Sequence, residues 1–329
     1  MVTCVSSVKK LALFGAVVAL GVASVGAPAK AEYPDRTITI VVPFAPGGAS
    51  DYMARLLSTH LRDKLGQTVI VENKPGAGGN IGIGYVSRAE PDGYTFLVSS
   101  SVFVVNPSLY RNAPYDPIKS FAPVTELIAS PNVIAVRADA GIKDLADLIA
   151  KANANPGKYN YSTPGTGTST NLMMELLKTK KKFNIAHIPY PGAAPAVQAL
   201  LAGQVQATSM TLSVVLPFVK AGKLKCLVVT GDRRWADFPD VPTIEEAGFA
   251  DSVNQTFQAL FAPAGTPQPI IDRVAKEAIA IYQTPELKKS LREAGYDVTA
   301  AGPKALGDLV AHEVPMWANM IRKAGIPLH

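Results

Sequence analysis

Short β-branched apolar runs alternate along the chain with segments whose apolar residues recur at helical spacing. Residues 36–43 (RTITIVVP) predict a buried strand that ends at Pro43 and a glycine pair. Residues 51–65 then show the spacing of an amphipathic helix. The same alternation predicts further strands at 68–71, 94–98, 133–136, 159–162, 185–189, 205–208 and 224–230, and helices at 81–89, 143–152, 168–180, 193–201 and 214–221.

Repeated strand-helix units indicate an α/β fold with mainly parallel sheets that helices cover on both faces. The 329 residues correspond to about two domains, at roughly 150 residues per domain. The composition, with 48% hydrophobic and 18% charged residues, is typical of a globular protein and unlike that of a disordered chain.

The first 31 residues have the pattern of an export signal. Lys9 and Lys10 form a basic start, residues 11–25 are apolar, and Ala29 and Ala31 frame a small-x-small cleavage site. The alternative is a retained N-terminal anchor, although the apolar stretch is shorter than the roughly 20 residues that a membrane span needs. We therefore expect an exported protein that begins after Ala31.

Processing changes the charge and the cysteine content. The whole chain carries a formal charge of +6, and the loss of residues 1–31 removes Lys9, Lys10 and Lys30 but no acid, which leaves +3. So small an excess does not predict a nucleic-acid partner. Cys226 alone remains and predicts a buried small side chain in a strand, without a disulfide or a zinc site.

Three loops between a predicted strand and a predicted helix are candidates for binding a small anion. We name them the first loop (44–51, FAPGGASD), the second loop (76–80, GAGGN) and the third loop (163–170, TPGTGTST). Ligands on α/β folds bind where strands end, and glycines let backbone N–H groups approach an anion at a helix start. Asp51 is also a good N-cap candidate, which would make the first loop a simple helix start.

Motifs of catalysis are absent from the sequence. The G-x-G-x-x-G pattern that starts at Gly76 fails because its third glycine position is Ile81, and neither a Walker lysine nor a G-x-S-x-G elbow occurs. The four histidines stand apart, and we expect His187 to be a packed, hydrogen-bonded residue. We therefore predict no enzyme, no metal and no cofactor.

Seven segments resemble the substrate-binding proteins of tripartite tricarboxylate transporters, the Bug-type receptors. They occur in the family's order and span the chain beyond the export signal. The segments are YPDRTITIVVPFAPGGASD (33–51), VIVENKPGAGGNIG (69–82), PDGYTFL (91–97), HIPYPGAAPAVQALLAGQV (187–205), LPFVKAGKLK (216–225), PDVPTIEEAGF (239–249) and FAPAGTP (261–267).

The resemblance implies a two-lobed periplasmic-binding-protein fold of type II, the Venus flytrap, with two α/β domains and a hinge. One domain would comprise 33–133 and 254–329, and the other 134–253. They would close over a small carboxylate and deliver it to the membrane permease subunits. The resemblance implies as ligand-binding residues Phe44, Ala45, Gly48, Ala49, Ser50, Asp51, Ala77, Gly78, Gly79, Asn80, Ser100, Thr163, Thr166, Gly167, Thr168, Ser169 and Met210.

Departures from the family pattern bear on the ligand. Many relatives carry Asp where this chain has Met210, His where it has Asn171, and Trp where it has Phe257. A methionine in place of an acid makes that side of the cleft more polarizable and less charged. This favours an aromatic or medium-chain carboxylate over citrate as the ligand. We expect a periplasmic monomer. The alternative function is an exported carboxylate sensor that feeds a signalling system.

Overall fold

A computed structural model describes residues 33–250, 252–323, 325, 326 and 328. The expected export signal lies outside these residues. The described chain forms the strands β1 (Ile38–Val42), β2 (Val69–Asn73), β3 (Thr95–Ser100), β4 (Phe121–Arg137), β5 (Asn160–Thr163), β6 (Ala186–Pro189), β7 (Ala207–Thr211), β8 (Leu224–Val229), β9 (Gln255–Pro263) and β10 (Asp297–Ala301).

Six of the α-helices in the described chain lie between the strands in the order that the sequence pattern predicts, and four were not predicted: a short helix after β3 and three near the C-terminus. In chain order, the α-helices are α1 (Ala49–Leu65), α2 (Asn80–Val86), α3 (Val102–Val105), α4 (Leu145–Ala154), α5 (Ser169–Lys180), α6 (Ala193–Leu201), α7 (Leu212–Lys220), α8 (Gln268–Tyr282), α9 (Pro285–Glu293) and α10 (Pro303–Lys323).

The sheet has two halves that share the long strand β4. The strand order is β2-β1-β3-β9-β4-β7-β5-β6, and both β10 and β8 also pair with β4. The segment of β4 before Asn132 pairs with β9, and the segment from Asn132 onward pairs with β7 and β8. Pro131 lies at this change of partner, where a residue without an N–H cannot continue an interior ladder. We call the two sides the first and the second half-sheet.

The expectation of mainly parallel sheets is wrong. β1 pairs in parallel with β2 and β3, and β5 with β6 and β7. All pairings of β4, and that of β3 with β9, are antiparallel. The strand-helix alternation predicts the parallel units, but β9 and the first part of β4 lie outside it and run between them. The described fold is therefore a mixed α/β fold.

Each half-sheet has an apolar core on both faces. Met53, Leu57 and Phe96 belong to one core of the first half-sheet, and Phe103 and Trp317 belong to the other. The second half-sheet packs against α4 and α5 on one face and against α6 and α7 on the other. Cys226 lies in the latter core with a side chain that is 3% exposed, and burial raises the pKa of its thiol to about 12. The predicted buried thiol is confirmed.

Candidate functional site

The first loop connects the end of β1 to the start of α1. Gly48 is the N-cap of this helix and has extended backbone angles, and Gly47 has a φ of +92° that favours glycine. Asp51 is the third residue of the helix, and its Oδ2 accepts a hydrogen bond of 2.9 Å from the Gly47 N–H. The prediction of Asp51 as the N-cap is wrong, because its carboxylate reaches back over the loop from the first turn.

Both carboxylate oxygens of Asp51 are used within the protein. Oδ2 also accepts from Arg55 Nε at 3.0 Å, and Oδ1 accepts from Asn73 Nδ2 at 3.0 Å. The hydrogen bond from Arg55 is the main reason why the pKa of this carboxyl falls to about 2. Asp51 therefore fixes the shape of the first loop. An incoming anion would meet the N–H groups of the α1 N-terminus, which have no partners inside the helix.

The Ser50 hydroxyl is bound to the opposite strand. Its Oγ donates a 2.7 Å hydrogen bond to Gln258 Oε1 on β9, and both side chains are buried. Gln258 is also the backbone partner of Ser100, which is 9% exposed at the end of β3. A polar side chain within the apolar sequence of β9 is the signal that could have identified Gln258, but β9 was not among the predicted strands.

The second loop depends on glycine and lies against the first. Gly78 and Gly79 have positive φ angles, and Gly78 approaches Tyr110 so closely that a Cβ would lie 2.4 Å from its hydroxyl. A Cβ on Gly79 would lie 3.4 Å from the Phe44 ring. Asn106 Nδ2 donates both to Gly78 O and to Asn80 Oδ1, at 3.0 and 2.9 Å. The hydrogen bonds from Asn106 therefore fix the second loop after the exposed Ala77.

The third loop is the start of α5. Thr168 is its N-cap, accepts a hydrogen bond from the Asn171 N–H and donates one of 2.8 Å to Gly165 O. Asn171 Oδ1 accepts from the Gly167 N–H at 2.9 Å. Thr166 at the loop tip is exposed. Hydroxyl and amide groups thus set the loop's shape, and its tip faces outward.

The third loop, which belongs to the second half-sheet, contacts residues of the first half-sheet. Ser169 Oγ lies 3.1 Å from Thr256 Oγ1 on β9. A Cβ on Gly167 would lie 2.9 Å from Leu109 Cδ1, although Leu109 belongs to the first half. Because Leu109 and Tyr110 are consecutive, this short segment touches both the second and the third loop. No pattern in the sequence predicted this segment as part of the site.

Asn171 and His187 form a polar network behind the third loop. Asn171 Nδ2 lies 3.3 Å from His187 Nδ1, and Thr163 Oγ1 lies 2.7 Å from His187 Nε2. The imidazole ring stacks on Tyr161 with a centroid distance of 4.9 Å. The prediction of a packed, hydrogen-bonded His187 is confirmed.

Met210 does not face the site. Its side chain is fully buried, among residues of α6 and α7 such as Leu200 and Val215. Side chains alternate along a strand, and this alternation places Met210 on the face that these helices cover. The assignment of Met210 as a ligand-binding residue is therefore wrong, and no preference for an apolar ligand can rest on it. Phe257 is likewise a core residue, 1% exposed.

A second polar network lies where β4 changes partner. Asn132 is fully buried; its Oδ1 accepts from Thr256 Oγ1 at 3.1 Å, and its Nδ2 donates to Asn254 Oδ1 at 2.8 Å. Thr230 Oγ1 accepts from the Asn132 N–H and donates to Asn254 O. Through Thr256 this network continues to Ser169 and the third loop.

A separate cavity of about 230 Å³ lies beside the point where β4 changes partner, and none of the three loops lines it. Three arginines line it, together with Trp235 and Asp297. Arg233 is paired with Asp297 at 3.1 Å and Arg234 with Glu246 at 2.8 Å, so two of these cations are already matched by acids. The loops are therefore the better candidate for an anion.

The described residues contain neither a metal cluster nor a membrane-spanning helix. Within them, no group of three or more His, Cys, Asp or Glu side chains is placed to hold a metal ion. Among the helices of the same residues, none has both the length and the apolar character to cross a membrane.

Comparison with known proteins gives consistent results. The sequence profile described as the tripartite tricarboxylate transporter family receptor matches residues 53–326. The protein BugT of Bordetella pertussis is 34% identical over 321 residues, which is 97% of this chain and 98% of BugT.

Two solved structures are similar in fold as well as in sequence. R. palustris Rpa4515 with adipate is 32% identical, with a TM-score of 0.80 over 91% of this chain and 100% of that one. MatC from Rhodopseudomonas palustris with bound malate is 31% identical, with a TM-score of 0.76 over 88% of this chain and 100% of that one. These likenesses confirm the two-lobed periplasmic-binding-protein fold.

Proposed function

This chain belongs to the tripartite tricarboxylate transporter receptor family, and on that basis we propose that it captures a small carboxylate between its lobes and delivers it to a membrane permease. Receptors of this family are solute-binding proteins and not enzymes, and they work in the periplasm.

One observation carries the proposed site. Leu109 contacts Gly167 of the third loop, and the adjacent Tyr110 contacts Gly78 of the second loop. The second loop in turn contacts Phe44 of the first. All three loops are thereby linked through one short segment, although they come from opposite half-sheets. A ligand at this place would touch both lobes, as capture by closure requires.

The ligand chemistry follows from the donors of the loops. The α1 N-terminus supplies backbone N–H groups, while Asp51 is neutralised by Arg55 at 3.0 Å. The oxygens of a carboxylate suit such donors, since charge-assisted hydrogen bonds are the stronger class. The two relatives with adipate and with malate hold aliphatic dicarboxylates. We propose the same class for this chain, bound by the first loop at one end and near Thr166 and Ser169 at the other.

The proposed lobe boundaries are 33–133 with 254–329, and 134–253. They are supported by the change of partner along β4 at Asn132 and by the start of β9 at Gln255. The Asn132 network would lie at the hinge.

We further propose cleavage of the export signal near Ala31, a monomeric receptor and transport through permease subunits rather than signalling.

The test is a binding panel on the mature protein. Adipate, malate, citrate and benzoate are compared by thermal shift and calorimetry, with the uncharged diamide of adipic acid as the matched control. A ligand at about 100 times its Kd adds roughly 2.7 kcal/mol to the free energy of unfolding. We expect a clear shift with at least one aliphatic dicarboxylate and none with the diamide. Equal shifts with acid and diamide, or no shift with any acid, would overturn the proposal.

A further inference from the structure

His187 lies behind the third loop with a hydrogen bond at each ring nitrogen. Nδ1 faces Asn171 Nδ2 at 3.3 Å, and Nε2 faces Thr163 Oγ1 at 2.7 Å. Both partners also bond to the loop itself, because Asn171 Oδ1 accepts from the Gly167 N–H and Thr163 Oγ1 donates to Gly165 O. At each ring nitrogen, a single side chain therefore connects His187 to the backbone of the third loop.

The directions of these hydrogen bonds define one tautomer. Since Asn171 Oδ1 is occupied by the Gly167 N–H, the amide presents its NH₂ group to His187 and Nδ1 must accept. The single ring proton is then on Nε2 and is donated to Thr163 Oγ1. Every group in this arrangement is satisfied when the imidazole is neutral.

A proton on Nδ1 breaks this arrangement whichever way the amide turns. With Asn171 unchanged, two donors face each other. With the amide rotated by half a turn, Oδ1 meets the imidazolium but the NH₂ group now faces the Gly167 N–H. In the first case the hydrogen bond between Asn171 and His187 is lost, and in the second the Gly167 N–H of the third loop loses its acceptor. Either arrangement leaves a donor without a partner, which is costly.

The charged groups around the ring do not counter this effect. Glu175 and Lys178 on α5 are the charged side chains that act on His187, and they pair with each other at 3.0 Å. Tyr161 on β5 stacks on the ring and donates to Glu175 Oε1 at 2.7 Å. Burial is the main cause that lowers the pKa of His187 below its usual value.

We propose that His187 is a positioning residue whose neutral ring holds the third loop in its ligand-binding shape and whose protonation releases it. The loop part of this inference stands on the hydrogen bonds alone. Its consequence for affinity rests on the proposed function. By linkage, binding of a carboxylate expels the proton, and acidification of the periplasm weakens capture.

Two substitutions separate the roles of the ring. His187→Gln keeps an acceptor for Asn171 and a donor for Thr163 but does not titrate. His187→Phe keeps the stacking on Tyr161 and loses both hydrogen bonds. His60→Gln on α1 is the matched control, since His60 is exposed and its ring nitrogen is hydrogen-bonded to the Leu56 carbonyl of its own helix, away from the third loop.

The first measurement needs no ligand. The NMR signal of the Gly167 amide is followed between about pH 5 and pH 8 in the free protein. We expect it to titrate together with the His187 ring in the wild type and in His60→Gln, and to be flat in His187→Gln. A Gly167 signal that is flat in the wild type, or that titrates unchanged in His187→Gln, would overturn the inference.

The second measurement is adipate affinity at about pH 5 and pH 7.5. We expect the wild type to lose about tenfold more affinity at the lower pH than His187→Gln, in which only the titration of adipate itself remains, and we expect weak binding at both values in His187→Phe. Identical pH profiles in the wild type and His187→Gln would contradict the link to capture. If no variant binds adipate, the proposed function fails, while the Gly167 titration still decides the positioning role.

Discussion

Ser50 Oγ lies 2.7 Å from Gln258 Oε1, and this hydrogen bond joins the first turn of α1 to the middle of β9. Ser50→Ala leaves the buried Gln258 oxygen without this donor. We expect the free energy of unfolding to fall by about 1–3 kcal/mol, as measured by urea denaturation. Ser290→Ala on the exposed face of α9 is the control and should change stability by less than about 0.5 kcal/mol. Equal effects of the two substitutions would show that the hydrogen bond contributes nothing.

Asp51→Asn tests the ion pair that shapes the first loop. The lowered pKa of Asp51 means that its charged form is favoured by folding. This stabilisation is present above the unfolded pKa near 3.8 and is lost as the pH falls towards 2. Because Arg55 is half exposed, solvent screening limits the loss in Asp51→Asn to about 1 kcal/mol at pH 7.

Thermal melts at pH 7 and pH 3 measure this loss, with Asp63→Asn on the same helix as the control. The difference between Asp51→Asn and the wild type should shrink at the lower pH. A difference that is independent of pH would mean that Asp51 acts through packing and not through its charge.

Glu313→Gln tests a buried carboxyl on α10. Burial chiefly raises the pKa of Glu313 to about 7, with nearby Glu126 adding to the effect, and Trp317 Nε1 donates to Glu313 Oε2 at 3.1 Å. A raised pKa means that the folded state favours the protonated form. The resulting stabilisation is complete below about pH 4.5 and is lost as the pH rises through 7.

Glutamine keeps the acceptor for Trp317 without the charge. We therefore expect Glu313→Gln to be more stable than the wild type at pH 8, by about 2 kcal/mol, and equal to it near pH 4. Melting curves at both pH values provide the measurement, and Glu245→Gln at an exposed position should give no such crossover. A variant that is less stable at pH 8 would refute the expected cost of the buried charge.

Gly167→Ala tests the contact between the third loop and Leu109. The added methyl group would lie 2.9 Å from Leu109 Cδ1 at a backbone φ of +77°. Gly141→Ala is a matched control, because Gly141 has a φ of +66° and its Cβ would meet nothing within 4 Å. The backbone strain should cost about 1–2 kcal/mol in both variants.

Only Gly167→Ala should also lose affinity for adipate, by about tenfold or more in calorimetry, because only this methyl group separates the two lobes. Leu109→Ala in the same chain should restore part of that loss. If Gly141→Ala weakens binding as much, the effect belongs to stability and not to the contact between lobes.

Local patterns in the sequence predict the local parts of the structure. The β-branched run before Pro43 gives β1, the apolar spacing from Met53 to Leu65 gives α1, and the three glycine loops lie where strand ends meet helix starts. These features depend on residues close together in the chain, which periodicity reports directly.

The missed features depend on pairing across long separations. The Ser50 hydrogen bond to Gln258 spans 208 positions, and the Asn132 contact with Thr256 spans 124. Pro131 beside Asn132 indicates a break in a ladder, but nothing near it in the sequence indicates that β4 exchanges β9 for β7 and β8 there. The error at Met210 has the same origin, since the face on which a strand residue lies is set by which helices cover it.

The shared strand β4 has a consequence for modularity. Its residues from 121 to 131 serve as an interior strand of one half-sheet, and those from 132 to 137 serve the other. Excising the segment 134–253 as an independent module would therefore cut β4 and leave Asn132 and Val133, with their pairings to β7 and β8, behind. Grafting this segment between relatives should succeed only when the whole of β4 is exchanged with it, so that the unit of recombination is larger than the lobe.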